Sequence, residues 1–323
     1  MNLHKKTIVI TGASSGAGRA AALEFAPLGV RLVLAARNET ALKELAEECV
    51  MLGAETLVLP TDVADPKAMI RLADAAGEWH GNIDIWINNA GVLAGGDFDV
   101  TPMEVHEQVI KTNLLGYMNG AHAVLPIFKQ QRYGVLINNI SIGGFLPVPY
   151  GAGYTASKFG LRGFSEALKA ELSAWPDIYI CDLFPAFLDT PGILHAGNYT
   201  GKVLKPAPPV YDPVRVAQAM VKVAANPKSN TYVGSASLLL KFSHALFPEL
   251  TTKMTALVMR KYFKVADDIA PTNGNLFNTV DYGMSVHGGF GIPGAPKAHR
   301  KYIAGALLAG FAAGFLLLGS SKK

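Results

Sequence analysis

The sequence contains few cysteines and few charged residues. Cys49 and Cys181 are its only cysteines among 323 residues, which excludes a disulfide framework and a zinc site built from cysteine thiolates. The eight histidines are scattered without the spacing of metal ligands, so we predict no metal site. Charged residues make up 17% of the chain, whereas 50% of its residues are hydrophobic. This composition provides a sizeable core and excludes an intrinsically disordered chain.

Long runs of one charge are absent as well. There is no arginine-rich run or RNA-binding signature, so we predict no nucleic-acid partner. Residues 1–240 carry 19 Lys or Arg against 21 Asp or Glu, but residues 241–323 carry 10 against 4. This basic, apolar end of the chain favours a membrane surface. The first six residues are polar and lead straight into a β-type run, unlike a signal peptide, so we expect the folded body in the cytoplasm.

Short apolar or β-branched runs alternate with segments of helical periodicity. The helical patterns include residues 17–28 and 39–51. This alternation predicts an α/β fold, with a doubly wound parallel sheet that carries helices on both faces. The predicted strands are 7–11, 31–35, 55–59, 83–87, 135–139, 178–184 and 231–233.

A glycine-rich turn follows the first predicted strand. Residues 11–18 read TGASSGAG and open a helical pattern. The glycines permit a tight turn and the close approach of a pyrophosphate, which would sit on the N–H groups at the start of the helix. The spacing Gly-x3-Gly-x-Gly is not that of a P-loop, which needs Gly-Lys-Ser/Thr. We predict a dinucleotide site with Gly12, Ser14, Ser15, Gly16 and Gly18, the alternative being an ordinary turn between strand and helix.

The ends of the next three strands carry further candidates for this site. The second strand leads to Arg37, and a guanidinium suits the 2′-phosphate of NADP, whereas an acid would suit the 2′-hydroxyl of NAD. The alternative for Arg37 is a solvated surface arginine. The third and fourth strands lead to Asp62-Val63 and Asn89-Ala90-Gly91, at the strand ends where doubly wound sheets bind ligands. We therefore expect NADP(H) to be preferred, with NAD(H) as the second option.

Tyr154 and Lys158 form a pair suited to acid–base chemistry. They lie four residues apart, on one face of a predicted helix. A nearby ammonium favours the phenolate of a tyrosine, whose oxygen could then exchange a proton with a substrate oxygen. Ser141 follows the fifth strand and could hydrogen-bond the same oxygen, and Asn113 lies on the preceding helical stretch. A Tyr-x3-Lys pair alone would usually be a surface pair, so the prediction depends on the whole set.

In their order along the chain, these motifs closely resemble the short-chain dehydrogenase/reductase family, in its short single-domain branch. The resemblance covers about residues 5–235 and includes residues 88–91 (NNAG). It implies a Rossmann-type fold and hydride transfer between a nicotinamide and an alcohol or carbonyl carbon. It also implies that Tyr154 is the acid/base and that Ser141 orients and polarises the substrate oxygen. Lys158 would lower the tyrosine pKa and bind the nicotinamide ribose, and Asn113 would hold a water of the proton relay.

The sequence departs from the family pattern after the sixth strand. The family has a Pro-Gly pair there, but in this chain Ala186 follows Pro185. This change leaves the placement of the nicotinamide less well defined at that point. Leu188 and Thr190 match positions of the family that contact the carboxamide, so both are predicted cofactor residues.

The leading interpretation is an NADP(H)-dependent oxidoreductase that interconverts an alcohol and a carbonyl group on a small molecule. The alternative is a catalytically silent nucleotide-binding scaffold, although such a protein would be expected to lose Tyr154 or Lys158. An epimerase-like relative would show Gly-x2-Gly-x2-Gly, which is absent. Apolar side chains near the predicted site favour a lipid-like or steroid-like substrate, or else a lid packed on the core. They are Phe145, Leu146, Val148, Tyr150, Phe187, Leu188, Ile193 and Leu194.

The alternation of strands and helices stops after residue 233. We predict a catalytic domain over residues 1–235, an amphipathic and irregular extension over 236–301, a membrane-spanning helix over 302–319 and a basic tail over 320–323. The uncharged run 303–319 would make a helix of about 25 Å, slightly short of a hydrocarbon core of about 30 Å. Gly310 and Gly314 offer a small-residue face on which two such helices could pack. We also predict a homo-oligomer.

The extension itself contains an apolar stripe beside a basic edge. The stripe consists of Leu250, Met254, Leu257 and Val258, and the edge of Lys253, Arg260 and Lys264. This pattern is typical of a helix that lies on an anionic membrane. We therefore predict a membrane-associated protein with a cytoplasmic catalytic domain. The alternative is that both apolar segments are core helices or a dimer contact.

Overall fold

The computed structural model describes residues 2–291 of the chain. Its strands are β1 (Thr7–Thr11), β2 (Arg31–Ala36), β3 (Glu55–Pro60), β4 (Ile85–Asn88), β5 (Ala94–Gly95), β6 (Gly134–Asn139), β7 (Ile178–Pro185), β8 (Gly197–Asn198) and β9 (Asn230–Val233). Seven of them form one parallel sheet in the order β3-β2-β1-β4-β6-β7-β9, and the short strands β5 and β8 pair separately.

Some helices connect the strands of the sheet, and two come after its last strand. They are α1 (Gly16–Phe25), α2 (Glu39–Met51), α3 (Pro66–His80), α4 (Met103–Ile110), α5 (Gly116–Gln131), α6 (Ala152–Glu171), α7 (Val214–Ala225), α8 (Ser235–Leu246) and α9 (Pro248–Val265). One core forms where α1, α2 and α7 pack on the sheet. A second core forms on the opposite face, beneath α3, α5 and α6. This arrangement confirms the predicted doubly wound fold.

The strands are apolar because both faces of the sheet are covered. Every residue of β1 and β4 is buried, as expected for parallel strands between two helical layers. Most predicted strands agree with the structure within one residue at either end, but β4 begins two residues later, at Ile85. The predicted helix 17–28 continues past Phe25 only as a tight turn, since Pro27 has no N–H to donate within a helix.

The strand order places the ligand site. The connections run in opposite directions from β1, toward β2 on one side and toward β4 on the other. In doubly wound sheets a crevice opens at the carboxyl ends of the strands where this reversal occurs. The glycine turn after β1 and the predicted residues after β4 and β6 all lie at this crevice.

The part of the chain after β9 adds two helices and an irregular return. Helices α8 and α9 contact each other. At the start of α8, Ala236 is buried in a cluster with Ala186 and Tyr211. After α9 the chain runs back across the carboxyl end of the sheet. We call residues 272–291 the strap.

The predicted membrane segments have different outcomes. The predicted spanning helix 302–319 and the tail 320–323 lie outside the described residues. Within residues 2–291 there is no helix with the length and apolarity needed to cross a bilayer. The stripe on α9 does not form one outward surface, because Leu250, Met254 and Val258 line the central cavity whereas Leu257 does not.

Candidate active site

The glycine turn forms a cradle that side chains would fill. Gly12 and Gly16 have φ values of +66° and +55°, which L-residues other than glycine rarely adopt. A Cβ atom on Gly12 would lie 2.6 Å from the Cα of Ala90, and one on Gly18 would lie 2.1 Å from the carbonyl oxygen of Gly12. The Ser15 side chain makes no capping hydrogen bond to α1. The absence of side chains fits a dinucleotide pyrophosphate, which would compete with the Ser285 carbonyl oxygen for the N–H of Gly16 at the start of α1.

Asn89 fixes this cradle to the neighbouring strands. Its Nδ2 donates to the carbonyl oxygens of Thr11 at 3.1 Å and Gly12 at 3.2 Å. Its backbone N–H donates to the Thr11 hydroxyl at 3.0 Å, and its Oδ1 accepts from Asn139 at 2.9 Å. Asn89 is therefore a positioning residue, since its side chain is committed to the protein rather than to a ligand.

Arg37 and Asp62 lie at the far end of the crevice and line the same cavity. Arg37 does not project freely, because its guanidinium donates to the carbonyl oxygens of Leu276, at 3.2 Å, and of Asn275. Asp62 accepts the backbone N–H of Ala64 at 2.9 Å. A guanidinium held by neutral carbonyls keeps its charge for a stronger acceptor such as phosphate.

Ser141, Tyr154 and Lys158 come together on the other side of the cradle. Ser141 follows β6 with a strained φ of +107°, and its Oγ accepts the N–H of Gly143 at 3.1 Å. The phenol of Tyr154, near the start of α6, lies beside it: a Cβ on Gly143 would be 3.5 Å from the Ser141 oxygen and 3.7 Å from the Tyr154 oxygen. Lys158 follows one turn later, with its Nζ 5.7 Å from the Tyr154 ring centroid and 5.3 Å from that of Tyr117.

Burial governs the ionisation of this group. Burial raises the pKa of the Tyr154 phenol, and the hydrogen bond from Ser141 acts in the opposite direction. Burial lowers the pKa of Lys158 to about 7, and no carboxylate of residues 2–291 lies within ion-pair distance of it. Burial disfavours the charged lysine itself, and the implied lowering of the tyrosine pKa by Lys158 stays a prediction.

Asn113 is buried, and the role implied for it, holding a water, stays a prediction. It lies in a π-helical turn, Lys111–Leu115, between α4 and α5. Its Nδ2 donates to the carbonyl oxygen of Val92, and its Oδ1 accepts the Val92 N–H, both at 2.8 Å. The amide also reaches the Ser157 hydroxyl at 3.3 Å. The side chain thus fixes the loop after β4, and it does not line the cavity.

A single cavity of about 1520 Å³ connects the cradle to the catalytic group. Two of the predicted site residues, Gly18 and Asn113, do not line it. The predicted residues that do are Gly12, Ser14, Ser15, Gly16, Arg37, Asp62, Val63, Asn89, Ala90, Gly91, Ser141, Tyr154, Lys158, Pro185, Leu188 and Thr190. Among residues 2–291, no group of three or more potential ligands could hold a metal ion.

Six of the eight predicted apolar wall residues also line this cavity. They are Leu146, Val148, Tyr150, Phe187, Leu188 and Ile193. Phe145 instead packs on Phe184, with ring centroids 4.8 Å apart, and Leu194 is 46% exposed outside the cavity. The predicted wall is therefore mostly in place, and part of the alternative, a lid packed on the core, applies to Phe145.

The strap crosses the cradle and supplies wall residues that the sequence did not reveal. Its Ser285 carbonyl oxygen accepts the N–H of Gly16 at 2.9 Å, and its Val280 carbonyl oxygen accepts from Asn38 at 3.3 Å. Leu276 is fully buried in a cluster that also touches Tyr154. The Asp189 carboxylate accepts three backbone N–H groups at the end of the strap, at 2.7 to 3.1 Å.

The structure also identifies Tyr117 as a neighbour of the catalytic group. Its ring lies under the Lys158 amine, and its hydroxyl donates to the carbonyl oxygen of Asn139 at 2.9 Å. Tyr117 is buried and lies four residues after Asn113. This spacing of four residues from Asn113 is the one feature of the sequence that could have predicted Tyr117 as a site residue. No local sequence pattern predicts Leu276 or Val280.

Known proteins share this arrangement. Residues 6–195 match the family model described as short chain dehydrogenase. The uncharacterized oxidoreductase YxnA of Bacillus subtilis is 35% identical over 263 residues, which cover 80% of this chain and 73% of that protein. A short chain dehydrogenase/reductase of Burkholderia phymatum, solved in complex with NAD, has a TM-score of 0.70 at 28% identity and covers 77% of this chain and 96% of its own. An alcohol dehydrogenase of the archaeon Thermococcus sibiricus, solved with 5-hydroxy-NADP, has a TM-score of 0.63 at 26% identity, over 72% and 98% of the two chains.

Proposed function

This chain belongs to the short chain dehydrogenase family, and we propose that it is an NADP(H)-dependent oxidoreductase that interconverts an alcohol and a carbonyl group on an apolar substrate. As a family member it is an oxidoreductase that uses a nicotinamide dinucleotide. The observation that carries the finer proposal is the cavity that Tyr154, Ser141 and Lys158 share with the glycine cradle.

The bound nicotinamide supplies or accepts the hydride, and the side chains of this chain handle the substrate oxygen. In the direction of reduction, the Tyr154 hydroxyl donates its proton to the carbonyl oxygen as that oxygen gains negative charge. Ser141 donates a hydrogen bond to the same oxygen and holds it beside the phenol. Lys158 then favours the phenolate once its amine is protonated. In the direction of oxidation, the phenolate takes the alcohol proton.

The preference for NADP(H) is supported by Arg37. No carboxylate lies beside its guanidinium among residues 2–291, and its present acceptors are neutral carbonyl oxygens. Charge-assisted hydrogen bonds to phosphate are roughly twice as strong as those to neutral acceptors. A 2′-phosphate would therefore displace the carbonyls of Leu276 and Asn275 from Arg37.

A binding and turnover experiment tests the proposal. We expect NADPH to bind more tightly than NADH in a cofactor-fluorescence titration, and NADPH to be oxidised in the presence of apolar aldehydes or ketones. Dinucleotide binding without turnover of any carbonyl or alcohol in a broad panel would favour the silent nucleotide-binding scaffold. Tighter binding of NADH would overturn the assigned preference while leaving the reaction intact.

We also propose that residues 303–319 anchor the protein to a membrane, with the catalytic domain on the cytoplasmic side, and that the protein is a homo-oligomer. The sequence supports the anchor, because Lys297, Arg300 and Lys301 precede the uncharged run and lysines follow it. Deletion of residues 302–323 is expected to move the protein from the membrane fraction to the soluble fraction, with NADPH binding retained. Full-length protein that needs no detergent to stay soluble would contradict the anchor.

A further inference from the structure

The faces of α8 and α9 that line the cavity are apolar and accessible. We call the residues Leu239, Phe242, Leu246, Leu250, Met254 and Val258 the wing. Phe242 is 57% exposed, Leu246 is 70% exposed and Val258 is 56% exposed. No residue of α9 is fully buried. A helix pair with an apolar inner face normally packs that face against another apolar surface, so the wing is suited to contact an apolar group.

The charged side chains of α9 do not line the cavity. Lys253, Arg260 and Lys264 lie on one face of the helix, whereas Lys261 lies between Leu250 and Met254 in helical projection. Neither α8 nor α9 contributes a charged side chain to the cavity; among the described lining residues the Lys, Arg, Asp and Glu side chains are Arg37, Asp62, Lys158 and Lys205. The wing is therefore built to accept an uncharged, apolar group.

Contacts at the start of α8 and near the end of α9 fix the position of the wing. At the start of α8 the buried Ser237 hydroxyl donates to the carbonyl oxygen of Val233 at 3.1 Å. Near the end of α9 the Tyr262 hydroxyl donates to the carbonyl oxygen of Val203 at 2.6 Å. The Phe263 ring packs edge-on against Tyr150, with centroids 5.0 Å apart. The same Tyr150 lines the cavity near the catalytic group, so the two regions are joined by direct contact.

We propose that the wing binds the hydrocarbon chain of a long, straight-chain alcohol or aldehyde, whose oxygen-bearing end reaches Tyr154 and Ser141. This inference rests on the proposed function. It is favoured by continuity, since the wing and the catalytic side chains line the same cavity of about 1520 Å³. The cavity also includes the glycine cradle, so the dinucleotide and the substrate would share its volume.

The length of the cavity-lining face of α9 sets the length of chain that it can hold. This face continues beyond the wing, from Val258 to Phe263, and the part of α9 between Leu250 and Phe263 is about 20 Å long at about 1.5 Å per residue. An extended chain of roughly 12–16 carbons would span this distance, because each C–C bond of about 1.5 Å advances a zigzag chain by somewhat less than its length.

The test compares two matched substitutions on α9 in the full-length protein. Met254 lines the cavity and is 41% exposed, whereas Leu257 does not line it and is 38% exposed. Met254→Glu places a carboxylate in the wing, and Leu257→Glu places one outside it. For each variant, binding of straight-chain alcohols from butanol to dodecanol is measured by calorimetry, and kcat/KM is measured for the corresponding aldehydes with NADPH.

For the wild type and Leu257→Glu, we expect both affinity and kcat/KM to rise by about threefold to fourfold per added methylene until the wing is filled. For Met254→Glu we expect at least about a tenfold loss for dodecanol and dodecanal, with butanal turned over as in the wild type. If affinity and kcat/KM do not depend on chain length, or if the two variants show equal losses, the wing does not bind the substrate chain. If affinity rises with chain length but no aldehyde is turned over, the wing binds the chain and the proposed reaction is wrong.

Discussion

The two walls of the cavity are built in different ways. The wall carried by the sheet consists of buried backbone and short side chains. In it, Gly12 has no space for a larger side chain, and the hydrogen bonds of Asn89 fix its position. The wall carried by α8, α9 and the strap consists of half-exposed apolar side chains, fixed at a few points such as Tyr262 and Asp189. A wall that performs chemistry needs positions fixed to a fraction of an ångström, whereas a wall that selects among apolar substrates needs mainly shape and the absence of charge.

The largest expected effect removes the acid/base from the sheet-side wall. Tyr154→Phe should lower kcat by about 10²–10⁴, because the phenol proton is lost while the ring remains. The dissociation constant of NADPH should stay within about twofold, since the hydroxyl is assigned to the substrate oxygen. Tyr179→Phe makes the same chemical change on β7, outside the cavity, and should behave as the wild type. Wild-type turnover by Tyr154→Phe would remove the tyrosine from the mechanism.

The next effect tests how rigid the cradle is. Gly12→Ala forces a Cβ to within 2.6 Å of the Ala90 backbone at a φ of +66°. Cofactor affinity should fall by roughly tenfold or more, as strain of about 1–3 kcal/mol distorts the turn. Gly163→Ala in α6, where a Cβ meets nothing within 4 Å, should bind the cofactor normally and gain about 0.5–1 kcal/mol of stability. Normal NADPH binding by Gly12→Ala would show that the turn does not hold the pyrophosphate.

Arg37 tests the place where the two walls meet. Arg37→Asp should shift the NADPH/NADH ratio of kcat/KM toward NADH by about 10–100-fold, since a hydrogen bond to a charged group contributes about 1.5–3 kcal/mol. Arg37→Gln keeps a donor for the strap carbonyls but loses the charge, so it separates support of the strap from recognition of phosphate. An unchanged ratio in both variants would leave Arg37 only its structural role toward Leu276.

The smallest effect concerns the cost of burying an ammonium. The pKa of Lys158 in the folded protein, about 7, lies below the ordinary lysine value of 10.5, so between these values the folded protein binds fewer protons than the unfolded one. The stability contributed by this group therefore rises with pH across that window. Lys158→Met should raise Tm by roughly 3–6 °C near pH 7, and this gain should shrink toward pH 10.5.

A lysine of the same helix serves as the control for this stability measurement. Lys169 pairs with the buried Asp182 at 2.7 Å, so Lys169→Met should lower Tm, because it leaves a buried carboxylate without its partner. Both variants are compared with the wild type by thermal melts at several pH values. A lower Tm of Lys158→Met at neutral pH would show that interactions of the amine outweigh its burial.

Asn113 and the stripe on α9 show where sequence reasoning met its limit. The motif identified Asn113, but it did not reveal that both polar atoms of the side chain bind the backbone of Val92. The periodicity of α9 separated apolar from basic positions, yet it could not tell a membrane from the inside of a cavity. The same apolar face satisfies both environments, and only packing against the rest of the chain distinguishes them.

The alternation of strands and helices, the glycine turn and the set Ser141, Tyr154 and Lys158 could all be predicted from the amino-acid sequence. These features depend on local periodicity, on backbone conformations that mainly glycine adopts and on short spacings. All three can be recognised from residues that are close together in the sequence. Other features follow from packing alone: the strap lies on the cradle through Ser285, the Leu276 carbonyl accepts from Arg37 at a separation of 239 residues, and burial depresses the pKa of Lys158. Contacts at such separations depend on how complete elements pack, and the dielectric surroundings of a side chain exist only after that packing is formed.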